Sequence, residues 1–557
     1  MANTVSALSS NVKQYFLLFL FYILYKNAFG VVETAPSKPS VKVQILTVEV
    51  SGRSKIASVS ENYICATLDW WPPDKCDYGS CSWGESSLLN LDLTNPVLQN
   101  AVKGLSPLML RLGGTLQDKV FYDVGKLQGP CHPFSPGSGL FNFTEGCLNM
   151  SRWQALNVFF QKTGSLVAFG LNALYGRQRI GKFFFGAWDP SNAQDFIQYT
   201  FNHSYHIQAW ELGNELTSSG VGASIPASQY AADVKKLRAV VNQIYAKSPV
   251  KPLIVAPDGF FVQNFYQQLL ELTGPNILNA CTRHIYNLGA GVDKTLVNKI
   301  LDPVFLSQEA GVFKLVQKTM QAYGPWAQSW VGEAGGAYNS GHNLVSNAFV
   351  FSFWYVDQLG MAAQHNTQMY CRQSLVGGHY GLLNTSTFHP NPDFYSALLW
   401  KRLMGRVVLS TTSSGSPYLR AYAHCSKTSQ QALAVVLINL SNTTQYNVEL
   451  SLSISSAESE NVSKHMTSVP ENMNIDTQGA AVASYKQRLE YHLAAPGGNL
   501  HSQIVLLNGK PLQVAPNGTL PTLTPMTVDN SLPISVAPTS IVFAVVPAVI
   551  IPACIED

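Results

Sequence analysis

The feature that most restricts what this chain can fold into is an alternation between about residues 60 and 405. Eight short β-type runs occur there: "NYICATLDW" (62–70), "LMLRLGGT" (108–115), "LVAFGLNAL" (166–174), "QAWELGNEL" (208–216), "PLIVAPDGF" (252–260), "TRHIYNLG" (282–289), "QSWVGEAGG" (328–336) and "MYCRQSLVGG" (369–378). Each is nearly continuous in apolar residues through its first half, the mark of strands buried on both faces. Helical stretches separate them, among them "MSRWQALNVFFQKTG" (150–164), "ASQYAADVKKLRAVVNQIYAK" (227–247) and "NLVSNAFVFSFWYVDQLG" (343–360). The pattern predicts an α/β fold, a (β/α)8 TIM barrel over 60–405. After "WKRLMGR" (400–406), short strands alternate with Ser/Asn/Gly/Pro turns, which predicts a β-sandwich domain over 406–557. The alternating run "VKVQILTVEV" (41–50), within the segment 31–59, is expected to join that sandwich as an extra strand.

The polar residues of the eight runs gather at their C-terminal ends: Asp69, Arg111, Thr115, Asn172, Asn214, Glu215, His284, Tyr286, Glu333 and Arg372. That is the face on which barrel enzymes build their sites. Glu215 ends the fourth strand and Glu333 the seventh. On one barrel mouth they would flank a bound sugar, as retaining glycoside hydrolysis requires with carboxyls roughly 5–5.5 Å apart. Asn214 is placed to bond a sugar 2-hydroxyl, Tyr286 to donate its hydroxyl to Glu333, and Arg111 to put a positive charge beneath the same carboxylate. Trp210 and Leu212 are expected to form an apolar wall beside Glu215. Strand alternation turns Glu211 away from Glu215, so it reads as structural.

Composition adds location. Hydrophobic residues make up 46% and charged residues 12% of the chain, a globular and not a disordered composition. Lys13 before "YFLLFLFYILY" (15–25) and the small residues of "NAFG" (27–30) read as a signal peptide over 1–30, so the expected address is the secretory pathway, extracellular or cell wall, with lysosome or vacuole as the other destinations. Its removal takes Lys13 and Lys26 from 36 basic residues and leaves 34 against 33 acidic ones. A near-neutral surface argues against a binder of nucleic acid or densely sulfated glycan. Sequons stand at Asn142, Asn149, Asn202, Asn384, Asn439, Asn442, Asn461 and Asn517. Among nine cysteines, Cys76 with Cys81, Cys131 with Cys147, and Cys425 with Cys554 are the expected disulfides, and the odd count leaves at least one thiol over. The tail "SIVFAVVPAVIIPACIED" (540–557) reads as a last buried strand interrupted by prolines, and not as a lipid anchor. No segment of the mature chain reads as a membrane span, although peripheral membrane or wall association stays open, and a monomer is expected. The sequence calls for no metal and no organic cofactor.

The motifs "LRLGGTLQD" (110–118), "FGLNAL" (169–174), "WELGNEL" (210–216), "RHIY" (283–286), "VGEAGGAY" (331–338) and "YCRQSLVGG" (370–378) resemble glycoside hydrolase family 79, of clan A, which holds heparanase and β-glucuronidases. "ICATLDWWPPDKCDYGSCSW" (64–83) and the closing "PAC" (552–554) resemble its plant branch. The resemblance covers the whole mature chain. It implies Glu215 as acid/base, Glu333 as nucleophile and Tyr286 as the nucleophile's partner. It places Asp69, Thr115, Asn214 and Tyr380 at sugar-contacting positions and supports the Cys425–Cys554 bridge. Two departures matter. "YDVGKLQGPCHPFSPG" (122–137) is too short for the excised linker of animal heparanase, and Asn339 and Ser340 replace glycines in the loop that cradles the uronate, where Tyr338 is kept. The resemblance therefore implies release of terminal β-glucuronic acid from a glycan or glycoside. The alternatives are endo-cleavage, a clan A hydrolase of a neutral sugar, and an inactive carbohydrate-binding wall protein.

Overall fold

In the computed structural model, residues 41–125, 130–217, 222–429, 432–453, 486–547 and 551–555 are described. The expected signal peptide over 1–30 and the Asn461 sequon lie outside them. The eight strands of the alternation form a closed parallel barrel in chain order: Ile64–Asp69, Met109–Gly113, Leu166–Leu171, Ala209–Leu212, Leu253–Gly259, Ala280–Ile285, Gln328–Ala334 and Thr367–Arg372. The ring closes where the eighth strand pairs with the first, Tyr370 beside Ile64 and Cys371 beside Cys65.

Alternation along each strand sorts side chains into two cores. Inward residues at the strand starts, including Met109, Ala168, Ala209, Ala280 and Trp330, pack into a floor layer inside the barrel. Outward residues such as Leu110, Phe169, Trp210 and Val331 pack beneath the surrounding helices. The helices begin and end where the sequence punctuates them. Asn149 caps Met150–Thr163 by accepting the Arg152 N–H at 2.7 Å, and Gly164 ends it in the left-handed conformation.

The expected sandwich is one continuous sheet. Its order runs through Gln487–Ala494, Ser540–Pro547, Ala432–Asn439, Leu419–Ser426 and Met404–Ser413 to Lys42–Ser58, Thr444–Ser453 and Ile534–Val536. The run at 41–50 thus joins the sheet as expected, antiparallel to Met404–Ser413. Val48, Val50, Leu409, Val435, Val448, Val536 and Val542 share one core enclosed by this sheet. Its other face carries Val436, Ile438, Ile541 and Phe543 into the barrel's own core. The helix Phe349–Gln364, apolar nearly all round, is buried between the two layers. Asp357 on that helix pairs with Arg420 at 2.7 Å and accepts the Tyr422 hydroxyl at 2.6 Å. A side chain on Gly360 would come within 2.2 Å of the Tyr422 ring, so glycine permits this close approach. Barrel and sheet fall within one compact unit, Val43–Asp557.

Four disulfides form. Cys76–Cys81, Cys131–Cys147 and Cys425–Cys554 are the expected pairs, Cys65–Cys371 joins the two strands at the barrel's closure, and Cys281 is the buried free thiol. Among the described residues, no helix is long and apolar enough to cross a membrane. Asn142, Asn149, Asn202, Asn442 and Asn517 are exposed and Asn384 is half-buried. Asn439 corrects the sequon reading. It is fully buried, and its amide nitrogen donates to the carbonyls of Thr444, Val536 and Ala537.

Candidate active site

The fourth strand stops at Leu212, and the next three residues aim a carboxylate. Gly213 has φ +72°, and a Cβ there would meet the Leu216 and Ala173 side chains at 2.5 and 2.8 Å. Asn214 then donates its backbone N–H to Asp118 Oδ2 at 2.8 Å, and the other Asp118 oxygen accepts the Ala173 N–H at 2.7 Å. Glu215 itself sits at φ +57°, a sparsely populated conformation for a side-chain-bearing residue. Its N–H bonds the Asp258 carbonyl at 2.7 Å, which holds that conformation in place.

Glu333 lies one residue before the end of the seventh strand, and both its oxygens are held. Tyr286, just past the sixth strand, donates its hydroxyl to Oε1. Arg111, on the second strand, donates from Nη1 to Oε2 at 2.9 Å. Burial and the adjacent Glu333 charge push the Tyr286 phenol well above its usual range, so it remains a donor. Arg111 is the buried hub of the barrel interior. It also reaches Glu211 Oε2 at 2.9 Å, Asn214 Oδ1 at 2.8 Å, and Asp258. Its guanidinium only donates, so the Asn214 atom facing it is the oxygen, and the Asn214 NH₂ remains a donor. One carboxylate oxygen of Glu215 lies within 4.8 Å of one of Glu333.

His284 bridges two acids, with Nδ1 2.8 Å from Glu215 Oε1 and Nε2 2.9 Å from Asp258 Oδ1. Three proton arrangements satisfy this row: an imidazolium donates to both carboxylates, or Glu215 donates to Nδ1 while Nε2–H donates to Asp258, or Asp258 donates to Nε2 while Nδ1–H donates to Glu215. Each places one proton between Glu215 and His284, which suits a residue that gives and takes a proton.

Across the cleft, Asp69 ends the first strand and accepts a bond from the Gln373 amide at 2.7 Å. Burial, with Glu333 adding to it, pushes the Asp69 carboxyl up to about 8, so at neutral pH it is protonated. Gln373 is held in turn by Thr67. Tyr380 stands beside Gln373 with its ring edge-on to Trp83. Asp69, Gln373, Tyr380 and Trp83, with Thr115, Phe260 and Tyr338, line a pocket of about 370 Å³ over Glu215 and Glu333, within the range of small-molecule sites.

A family model, Glycosyl hydrolase family 79, N-terminal domain, matches residues 45–360. The chain belongs to glycosyl hydrolase family 79. It is 49% identical over 512 residues to heparanase-like protein 1 of Arabidopsis thaliana, covering 90% of this chain and 93% of that one. It is 40% identical over 509 residues to baicalin-beta-D-glucuronidase of Scutellaria baicalensis, covering 88% and 90%. Among solved structures, a 4-O-alpha-L-rhamnosyl-beta-D-glucuronidase from Fusarium oxysporum superimposes with a TM-score of 0.61 over 90% of this chain and 100% of that one, at 13% identity, which speaks for the fold alone. The protein is a glycoside hydrolase of this family.

Within this family-79 barrel the structure brings Asp69, Thr115, Glu215, Tyr286, Glu333, Tyr338 and Tyr380 to one pocket. Arg111 stands beneath the Glu333 carboxylate, where the sequence puts its charge; as a substrate-binding residue it is corrected, because it lies buried under the pocket and does not line it. Other expectations are corrected as well. Asn172 donates to the Val120 carbonyl and accepts the Leu174 N–H, so it ties a loop. Trp210 and Leu212 face outward, Trp210 against Phe169 and Phe196, and form no wall for Glu215. Glu211 alternates inward onto Arg111. Arg372 turns out to Asp393 at 2.8 Å and the Phe351 ring. Asp258, Gln373, Lys75 and Asp77 were not singled out from sequence. Asp258 and Gln373 stand at or just past the ends of strand runs, the same signal that marked Glu215 and Glu333.

Proposed function

We propose that the protein is a retaining β-glucuronidase of the secretory pathway that releases terminal glucuronic acid from a glycan or glycoside. The observation that supports the retaining mechanism is that one oxygen of Glu215 lies within 4.8 Å of one of Glu333, close to the roughly 5–5.5 Å carboxyl separation of retaining enzymes and short of the wider spacing that inverting ones use. Glu333, aimed by Tyr286 and Arg111, attacks the anomeric carbon while Glu215 protonates the departing oxygen. Glu215 then draws a proton from water, which displaces the sugar from Glu333. The Asn214 NH₂ donor suits the sugar 2-hydroxyl. The uronate preference rests on the similarity to a protein named for glucuronide hydrolysis. Four disulfides support an oxidising compartment.

The test uses an aryl β-glucuronide and its β-glucoside. Glu333→Gln is expected to abolish hydrolysis. Glu215→Gln is expected to slow substrates with poor leaving groups by about 10²–10⁴ and to spare activated aryl ones. Wild-type rates in both variants would sink the assignment, and a preference for the glucoside would sink the uronate reading.

A further inference from the structure

A uronate entering this pocket meets mostly acids. Asp69, Asp77, Glu215 and Glu333 all line it, and among the described lining residues Lys75 carries the one side-chain positive charge. Lys75 comes from "DKCDYGSC" (74–81), a loop closed by the Cys76–Cys81 disulfide. That loop docks on the segments that follow the seventh and eighth barrel strands. Asp77 accepts the Ser340 hydroxyl at 2.5 Å, the Tyr78 hydroxyl accepts the Asn339 amide at 3.0 Å, and Ser80 meets His379 at 3.1 Å. The Ser340 hydroxyl is fixed from its other side by the Trp83 N–H at 2.9 Å. Asn339 and Ser340 sit at φ +57° and +68°, where glycine is the easier choice, and both give their side chains to this clasp.

The clasp fixes an ammonium. Lys75 Nζ bonds Asp77 Oδ1 at 2.7 Å and lies 4.6 Å from the centre of the Trp71 ring. An ammonium has three donors and Asp77 takes one, so the remaining N–H groups are available to a ligand in the pocket. The side chain is 19% exposed, open enough to meet a ligand and shielded enough for its charge to act at reduced dielectric.

We infer that Lys75, held by Asp77 and Ser340, binds the carboxylate of the substrate's uronic acid and sets the preference for charged over neutral sugars. The inference rests on the β-glucuronidase reading and goes beyond it by naming a specificity residue on the disulfide loop.

The test compares an aryl β-glucuronide with its methyl ester, the same ring without the charge, using the full-length enzyme, Lys75→Met and Lys75→Arg. Loss of a charge-assisted bond is expected to lower kcat/KM of Lys75→Met on the glucuronide by about tenfold to a hundredfold. The ester rate is expected to stay as in wild type, and Lys75→Arg to keep most of the preference. Equal losses on both substrates, or none on the glucuronide, would overturn the role of Lys75 while leaving the β-glucuronidase reading intact. A wild-type enzyme indifferent between the two substrates would instead overturn that reading. A melting temperature matching wild type confirms that each variant is folded.

Discussion

Asp69→Asn separates what the Asp69 proton does for folding from what it does for catalysis. Asp69 is 1% exposed, and burial beside Glu333 lifts its carboxyl from 3.8 to about 8. Above pH 4 the unfolded chain carries this group ionised, whereas the folded protein keeps it neutral until about pH 8. Its contribution to stability is therefore complete below pH 4 and is lost as the pH climbs to about 8. The loss is about 1.4 kcal/mol per pH unit, or about 4 kcal/mol by pH 7. Asparagine has the shape of the neutral acid and does not titrate. The stability difference, variant minus wild type, is thus expected to grow by about 4 kcal/mol between pH 4 and pH 7 and to level off above pH 8. For a chain of this length the unfolding entropy is on the order of 1 kcal/mol/K, so the gap in Tm should widen by about 4 °C. Paired thermal melts from pH 4 to pH 9 read it directly. Below pH 8 both side chains offer a donor to the sugar, so Asp69→Asn should stay within about tenfold of wild-type kcat/KM at pH 6. A gap in Tm that stays flat or narrows with rising pH would refute the buried neutral Asp69.

Tyr286→Phe removes the hydroxyl that aims Glu333 and is expected to lower kcat by about tenfold to a hundredfold with little change in KM, read by steady-state kinetics on an aryl glucuronide. Replacing Cys65 and Cys371 together by alanine removes a bridge spanning 306 residues and should cost about 2–5 kcal/mol in denaturant-unfolding free energy, with the other three disulfides intact. Peptide mapping of protein expressed through a secretory pathway should recover Asn439 without glycan while exposed sequons such as Asn142 and Asn442 carry it, because the Asn439 amide is spent on three carbonyls inside the fold.

The barrel was legible because buried parallel strands have a distinctive texture, and eight of them leave few other closures. Glu215 and Glu333 were legible because each interrupts an apolar run at the end that faces a barrel mouth. What escaped depends on inward or outward direction and on pairing across the ring. Trp210 and Glu211 are neighbours in sequence, yet one packs under the helices and the other inside the barrel. Only the register of the fourth strand decides which. The His284 bridge needs Asp258 and Glu215 on either side of one ring, a relation between three strands. The Cys65–Cys371 pair escaped because nothing local brings together residues 306 positions apart. The clasp of residues 76–81 on 339–340 was hidden for the same reason, although its Asn339 and Ser340 were visible as departures from glycine.

The bond between Cys65 and Cys371 gives the barrel a property that its hydrogen bonds alone do not. It turns the chain from 65 to 371 into a covalent ring, and the Asp69, Arg111, Glu215, His284, Tyr286 and Glu333 side chains all belong to that ring. One backbone cut in any loop inside it linearises the ring without releasing a fragment, so a nicked barrel can keep its strands in register and its carboxylates opposed. The loops inside this ring can therefore be opened by proteases with less risk to the Glu215–Glu333 pair than an open (β/α)8 chain would carry.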